Sequence, residues 1–206
     1  MSLEHLDRET RSLIAFAGLI AGGEEAALEA GCRECRAAGV SALWMDELLL
    51  QSVLMVGWPR ALNAFTAWRR VGQPPADHGE NGADYSRFAE WQARGEAVCR
   101  EVYGKNYSRL RENVRTLHPA LDAWMVTEGY GKTLGRPGLD LARRELCVAV
   151  QVAIQGAERQ LHSHLRGAVN AGASVAVVSE ALELVRPLLG RRELELAMSL
   201  WERIRQ

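Results

Sequence analysis

The sequence predicts an all-α fold in which a four-helix unit occurs twice, and three observations lead to this prediction. Ala, Leu, Glu and Arg are abundant among the 206 residues, and the β-branched alternation that is typical of strands is scarce. Apolar residues recur at spacings of three and four, for example in segments 24–36 and 180–189. When the sequence is shifted by 133 residues, segment 6–71 aligns with segment 139–204 without a gap.

The residues that begin and end the predicted helices occupy matching positions in the two copies. The aligned positions include candidate helix caps, helix-ending glycines and a tryptophan near the end of each copy. These pairs are Asp7 and Asp140, Gly39 and Gly172, Ser41 and Ser174, Gly57 and Gly190, and Trp68 and Trp201. Such residues determine where helices begin, end and pack. Chance matches in a chain rich in Ala and Leu would rarely preserve them all, so we interpret the pattern as a true duplication.

Each repeat is predicted to contain four helices. In the first repeat they lie roughly at 7–21, 24–38, 43–56 and 59–71, and in the second at 140–155, 157–171, 175–188 and 191–205. Asp7, Ser41, Asp140 and Ser174 stand where helices should begin and are suited to be N-caps.

A third region separates the two repeats. A turn rich in Pro, Gly and Asp at 72–84 leads into helical stretches at about 84–103 and 106–116, followed by 118–134. Apolar residues at mostly helical spacings indicate that this insert packs on the repeats. We therefore expect a first repeat at 1–71, a turn and helical insert at 72–138, and a second repeat at 139–206, packed as one globular unit.

Composition argues against several classes of function. The net charge of −1 provides no basic excess for nucleic acid or an anionic membrane. The first ten residues include several charged side chains and lack the apolar core of a signal peptide. No apolar run approaches the roughly 18 residues of a membrane span. Four cysteines do not make a secreted disulfide framework. We therefore expect a cytoplasmic protein with reduced thiols.

The second repeat places polar groups on helix faces that should be buried. Segment 146–154 is apolar nearly all round, which predicts a buried helix, and Glu145 precedes it. On the next helix Gln160 and His164 share one face, so His164 should point toward the core or a pocket. The first repeat has Ser12 and Gly31 at the positions of Glu145 and His164.

The polar positions of the second repeat belong to a set of short motifs. The second-repeat motifs are Tyr130-Gly131-Lys132, Arg136-Pro137-Gly138-Leu139-Asp140, Arg144-Glu145-Leu146, and Gln160-Leu161-x-x-His164-x-Arg166-Gly167-Ala168. The first repeat has an echo in Gly57-Trp58-Pro59-x-Ala61-x-Asn63-Ala64. Together the two copies cover most of the chain, and their motifs resemble the carboxymuconolactone decarboxylase family. The resemblance implies an alkylhydroperoxidase D-like fold, a small-molecule substrate and a ring-like homo-oligomer, trimeric or higher.

One branch of that family, similar to alkylhydroperoxidase D, uses thiols. It has two cysteines three apart, a histidine four residues later and a glutamate twelve residues upstream. This sequence matches the histidine and the glutamate with His164 and Glu145 but has Ala157 and Gln160 in place of the cysteines. Thiolate attack on a peroxide is therefore impossible there.

A second pair of cysteines keeps a thiol hypothesis open. Cys32 and Cys35 have redox-pair spacing, but they align with positions 165 and 168 of the second repeat, away from the family's cysteines. An antioxidant enzyme using Cys32 and Cys35 stays an alternative, and two ordinary buried cysteines are the simpler interpretation.

The branch after which the family is named is a lyase. Decarboxylation of a lactone acid leaves negative charge on the lactone carbonyl, which needs nearby donors and a group that reprotonates carbon. The resemblance therefore implies an enzyme without a cofactor or metal that acts on a small carboxylated lactone or oxo acid. His164 would be the general acid, with Glu145 orienting it or acting as base. Substrate binding would fall to Gln160, Arg136, Arg144, Arg166 and Tyr130.

Purely structural interpretations stay open beside this one. Glu145 would complement a helix dipole or pair with Arg144, and His164 would be a hydrogen-bonded core histidine. Trp124 and Tyr130 would be packing anchors rather than ligand walls. The chain would then be an oligomeric binding or scaffold protein that has lost its site, and side chains would fill the space around His164.

Overall fold

The computed structural model describes residues 5–72, 74–76, 80 and 82–206 of the chain. These residues form helices and connecting turns without any β-strand, which confirms the predicted all-α fold. Parts of the predicted first repeat and of the turn after it, at 1–4, 73, 77–79 and 81, lie outside the described residues. No helix in the described part of the chain is both long and apolar enough to span a membrane.

The first repeat forms α1 (Arg8–Gly22), α2 (Glu25–Ala38) and α3 (Ala42–Arg70). Its predicted third and fourth helices are continuous in α3 except at Gly57, where φ is 75° and ψ is 169°. Only glycine adopts this backbone conformation readily, and Pro59, two residues later, lacks the N–H that would continue the helical hydrogen bonds. The division predicted between 56 and 59 is therefore present as a sharp kink.

The insert forms α4 (Phe88–Tyr103), α5 (Tyr107–Leu117) and α6 (Pro119–Trp124), which continues as a π-helix at Met125–Leu134. Two glycines bring α4 and the π-helix into backbone contact. A Cβ added at Gly95 would lie 2.0 Å from the carbonyl oxygen of Val126, and one at Gly131 would lie 2.1 Å from that of Trp91. α4 thus anchors the π-helix, and the insert is a packed part of the fold.

The second repeat forms α7 (Leu141–Ile154), α8 (Glu158–Asn170), α9 (Val175–Val185) and α10 (Arg191–Ile204). Its caps match those of the first repeat. Ser41 and Ser174 each accept a hydrogen bond of 3.2 Å from the backbone N–H three residues later. Gly39 and Gly172 end α2 and α8 with φ angles of 94° and 100°. The structure therefore confirms a tandem repeat with matching boundaries.

The repeats pack through reciprocal contacts. In the first repeat Glu47 accepts a 2.6 Å hydrogen bond from Arg144, and in the second Glu180 forms an ion pair with Arg11. The two glutamates are equivalent in the repeat, and so are the two arginines. In a symmetric dimer each contact likewise occurs twice, with the partners exchanged. The duplicated chain thus reproduces a two-fold interface within one molecule.

The insert distinguishes the two halves of this pseudo-symmetric unit. α4 of the insert packs against α8 of the second repeat. The helix of the first repeat that is equivalent to α8 is α2, which packs against α1 and α3 of its own repeat. The kinked helix α3 also contacts the π-helix. Elements of both repeats and of the insert therefore converge on one side of α8.

Candidate functional site

A histidine and a glutamate form a buried pair where α7 meets α8. His164 Nδ1 lies 2.8 Å from Glu145 Oε2, and the two side chains are 7% and 0% exposed. A Nδ1–H that donates to the carboxylate fixes the ring orientation and leaves Nε2 for another molecule. The structure thus brings together the two residues predicted to be catalytic.

A glycine permits the close approach of α8 to this carboxylate. A Cβ at Gly167 would lie 2.4 Å from Glu145 Oε2 and 2.8 Å from Val102 Cγ1. The second carboxylate oxygen, Oε1, is buried and accepts no hydrogen bond from the described residues. Buried oxygens without a partner are uncommon, and in this case the carboxylate lies beside a histidine that is a candidate proton donor.

A cavity of about 440 Å³ lies against His164, and we call it the His164 cavity. Its walls are mainly apolar side chains from α3, α6 and the π-helix, together with a few polar groups. The lining residues are Leu54, Met55, Tyr103, Leu121, Trp124, Met125, Glu128, Gly129, Tyr130, Leu134 and His164. This volume and composition are typical of small-ligand sites. The scaffold hypothesis expected packed side chains here, and the structure has a cavity instead.

Two tyrosines complete the polar part of the cavity. The Tyr130 hydroxyl donates a hydrogen bond of 3.2 Å to the Tyr103 hydroxyl, and the Tyr103 ring packs edge-on against the His164 ring with 6.5 Å between centroids. Burial raises the pKa of both hydroxyls above the usual value, and the negative charge of Glu145 acts in the same direction. Both tyrosines therefore stay protonated at neutral pH and can donate hydrogen bonds.

Two of the arginines predicted to bind substrate lie elsewhere. Arg144 is completely buried and donates to Glu47 Oε2 at 2.6 Å, while Arg136 Nε donates to Glu47 Oε1 at 3.0 Å. Arg136 also donates to the carbonyl oxygen of Glu80 at 2.9 Å. The Arg144 guanidinium therefore joins the second repeat, and that of Arg136 joins the insert, to one carboxylate of the first repeat, and neither lines the His164 cavity.

The three other predicted binding residues divide between different locations. Gln160 is exposed on α8 and does not line the His164 cavity. Arg166 is exposed as well and lines a different pocket. Only Tyr130, among the five, lies at the His164 cavity. Helical spacing placed Gln160 on the face of His164, but the residue is one turn closer to the exposed start of α8.

Sequence reasoning did not identify most of the cavity residues, and three of them show why. Tyr103 belongs to the insert, which has no second copy in the chain to align with. Leu54 and Met55 come from the first repeat, 110 and 109 residues away from His164 in sequence. Only the kink at Gly57 signalled that helix α3 changes direction near this point.

The two cysteines of the alternative thiol site lie buried in the core. Cys32 and Cys35 are 0% and 1% exposed, and the Cys35 thiol donates to the carbonyl oxygen of Ser12 at 3.4 Å. Burial raises the pKa of Cys32 to about 12 and also raises that of Cys35. Because the thiolate is the reactive form, these cysteines behave as ordinary core residues. The described residues also contain no cluster of three or more His, Cys, Asp or Glu side chains suited to a metal ion.

Comparison with known proteins identifies relatives of the chain. The model of the carboxymuconolactone decarboxylase family matches residues 1–70, which correspond to the first repeat, and residues 119–203, which contain the end of the insert from α6 onward and most of the second repeat. One curated relative, Peroxisomal protein 2 of Schizosaccharomyces pombe, is 27% identical over 139 residues. The alignment covers 66% of this chain and 64% of that relative, so the match spans less than two thirds of the relative's length.

Proposed function

Since the chain belongs to the carboxymuconolactone decarboxylase family, we propose that it is a cofactor-free lyase that decarboxylates a small carboxylated lactone or oxo acid. The observation that carries this proposal is the 2.8 Å contact between His164 Nδ1 and Glu145 Oε2 at the wall of a ligand-sized cavity. The pair provides a proton donor whose orientation is fixed by a buried carboxylate.

The reaction consumes one proton, which comes from the solvent through His164, for each CO₂ released. The bond between the substrate carbon and its carboxylate breaks, CO₂ leaves, and the electron pair remains as an enolate with its charge on the carbonyl oxygen. The protonated imidazole of His164 then transfers its Nε2 proton to the carbon, and water returns a proton to the ring. Glu145 stabilises the imidazolium that acts as the donor.

Tyr103 is the proposed donor to the enolate oxygen. Because Tyr130 donates its own hydrogen to the Tyr103 hydroxyl, the Tyr103 hydrogen remains available for a ligand. A hydrogen bond that strengthens as negative charge develops lowers the barrier of the reaction.

The apolar walls support loss of the carboxylate. Among the residues that the structure describes, no arginine or lysine lines the His164 cavity, and most of its walls are hydrocarbon. A substrate carboxylate held there loses part of its hydration, and its conversion to neutral CO₂ removes that penalty. This replaces the sequence-based expectation that Arg136, Arg144 or Arg166 holds the carboxylate in the site.

A substrate panel tests the proposal. Purified protein is incubated with small carboxylated lactones and oxo acids while CO₂ release and ultraviolet absorbance are followed. We expect turnover by the wild type and a loss on the order of 10²–10⁴-fold in His164→Ala. Gln160→Ala, one turn away on the exposed surface of α8, is the matched control and should retain full activity. Equal behaviour of the wild type and His164→Ala on every substrate would refute the lyase assignment.

Thiol titration separates this proposal from the antioxidant hypothesis. The four free cysteines are all buried, so we expect them to be unreactive toward a thiol reagent until the protein is unfolded. Mild peroxide should leave the number of titratable thiols unchanged. Oxidation of Cys32 and Cys35 in the folded protein would instead favour a thiol-dependent enzyme.

We also propose that the chain forms a homo-oligomer, trimeric or higher, in the cytoplasm. The proposed boundaries between the first repeat, the insert and the second repeat lie at 71/72 and 138/139. Exposed apolar side chains at the His164 cavity support association, because Leu54, Leu121 and Trp124 are 41%, 45% and 63% exposed. Light scattering after size-exclusion chromatography measures the oligomeric state. Fluorescence microscopy of a tagged chain distinguishes the cytoplasm from the peroxisome named in the relative's description.

A further inference from the structure

A second cavity, of about 530 Å³, shares Tyr103 as a wall with the His164 cavity. We call it the basic pocket, because its charged side chains are cationic and its other polar groups are amides and hydroxyls. Its lining residues are Val102, Tyr103, Gly104, Lys105, Asn106, Arg109, Leu110, Asn113, His162, Ser163, Arg166 and Asn170. None of the lining residues is an aspartate or a glutamate.

The cations of the basic pocket have no ion-pair partner within the part of the chain that the structure describes. Lys105, Arg109 and Arg166 form no salt bridge with any residue that the structure describes, although many other arginines of the protein do. Burial lowers the pKa of His162, and the nearby charges of Arg166 and Arg203 lower it further. The pocket therefore has a positive potential that attracts anions.

In the first repeat the equivalent arginine has a carboxylate partner. Arg33 is the equivalent of Arg166, and its Nη2 donates to Glu29 Oε2 at 3.0 Å. The position equivalent to Glu29 is His162, so the second repeat lacks the carboxylate that would pair with Arg166. At these equivalent positions the arginine is therefore paired in the first repeat and has no salt bridge among the described residues in the second, where α4, α5 and α8 enclose a pocket around it.

We propose that the basic pocket binds an organic ligand that carries two or more oxyanionic groups, either phosphates or carboxylates. Arginine and lysine donate charge-assisted hydrogen bonds to both kinds of group, and arginine does so with two parallel N–H bonds. The volume is within the range of sites for small organic ligands. This site is independent of the decarboxylation proposed at His164, because its anion-binding groups lie outside the His164 cavity.

Calorimetry on the intact chain, with inorganic pyrophosphate and citrate as probes at low ionic strength, tests the site. We expect one molecule bound per chain. Arg166→Gln should weaken binding by about tenfold or more, because a charge-assisted hydrogen bond is lost. His162→Glu should have a similar effect, because it recreates next to Arg166 the pairing that Glu29 provides for Arg33.

Arg33→Gln is the matched control and should leave the affinity unchanged, since its side chain lies in the first repeat. Tighter binding of pyrophosphate identifies a phosphorylated ligand, and tighter binding of citrate identifies a polycarboxylate. The site is disproved if neither probe binds at one molecule per chain, or if Arg166→Gln and Arg33→Gln bind with equal affinity. Circular dichroism of each variant verifies that the fold is intact, and no turnover is measured, so failure here is separate from failure of the lyase proposal.

Discussion

The two repeats have equivalent helices, but they differ in the side chains between the first and second helix of each repeat. In the second repeat Glu145 and His164 form a buried pair beside a cavity. In the first repeat the equivalent positions are Ser12 and Gly31, and a Cβ at Gly31 would lie 2.8 Å from Phe16 Cδ2. A large aromatic side chain thus packs against the position that the imidazole occupies in the other copy.

This difference shows how a duplicated unit can divide its roles. The position of Phe16 in the first repeat is Ala149 in the second. The repeat with the histidine and glutamate therefore has a small residue at this position, and the repeat with Gly31 has a large one. The first repeat does not lose all connection with the site, because Leu54 and Met55 of α3 line the His164 cavity. It contributes part of the wall, while the second repeat contributes the buried pair of His164 and Glu145.

The largest expected effect comes from removing the negative charge of the pair. Glu145→Gln keeps the shape and a hydrogen-bond acceptor for His164, so we expect a folded protein whose kcat falls on the order of 10² to 10⁴-fold. The change should fall on kcat more than on KM, because Glu145 stabilises the proton donor rather than the bound substrate. Ser12→Ala is the matched change in the first repeat and should leave kcat unchanged. Equal kcat values for Glu145→Gln and Ser12→Ala would mean that the two repeats do not differ in this way.

The next effect concerns the ion pairs that join the repeats. Arg144 is fully buried, and Arg144→Ala leaves Glu47 with one of its two arginines, at an expected cost of about 3–5 kcal/mol in the free energy of unfolding. Arg11→Ala should cost less, because that side chain is 28% exposed and Glu180 keeps two backbone N–H donors at 2.8 and 2.9 Å. Urea unfolding monitored by circular dichroism measures both losses. An equal loss in the two variants would contradict the structural asymmetry.

The arginine pairs also show what the sequence did and did not predict. The 133-residue shift located the helices and their caps, because those depend on local residues such as Asp7 and Ser41. It did not reveal that Arg144 meets Glu47, since that contact joins residues 97 apart and depends on how two helices pack. Helical spacing showed which residues share one face of a helix. The residues of another helix that pack against this face were known only from the structure.

The same reasoning accounts for the candidate site. His164 and Glu145 were predicted together because both match one family motif within a single repeat. Tyr103 could not be predicted as their neighbour, because the insert has no second copy and its position on α8 depends on close packing such as that of Val102 against Gly167. Sequence therefore identified the part of the site built by one repeat, and the walls contributed by other regions required the three-dimensional arrangement.

A smaller effect is expected from filling the space that lets α8 approach Glu145. In Gly167→Ala the new Cβ would be 2.4 Å from Glu145 Oε2, so the carboxylate or the helix must move. We expect a loss of about 1–3 kcal/mol in the free energy of unfolding, together with lower activity. The equivalent residue in the first repeat is Glu34, which is exposed, and Glu34→Ala should change neither quantity. Full activity in Gly167→Ala would show that the pair does not need this close packing.

The smallest predicted effect tests the part of the molecule in which the repeats should be alike. Ser41 and Ser174 cap equivalent helices with hydrogen bonds of the same length, 3.2 Å, and both are exposed. Replacing either by Ala should therefore cost about 1 kcal/mol, and the two losses should agree. Differential scanning calorimetry measures both. Agreement, next to large differences for Glu145 and Arg144, would show that the copies diverged in their buried polar groups while their helix boundaries stayed equivalent; a clear difference would mean that the divergence extends to the helix ends.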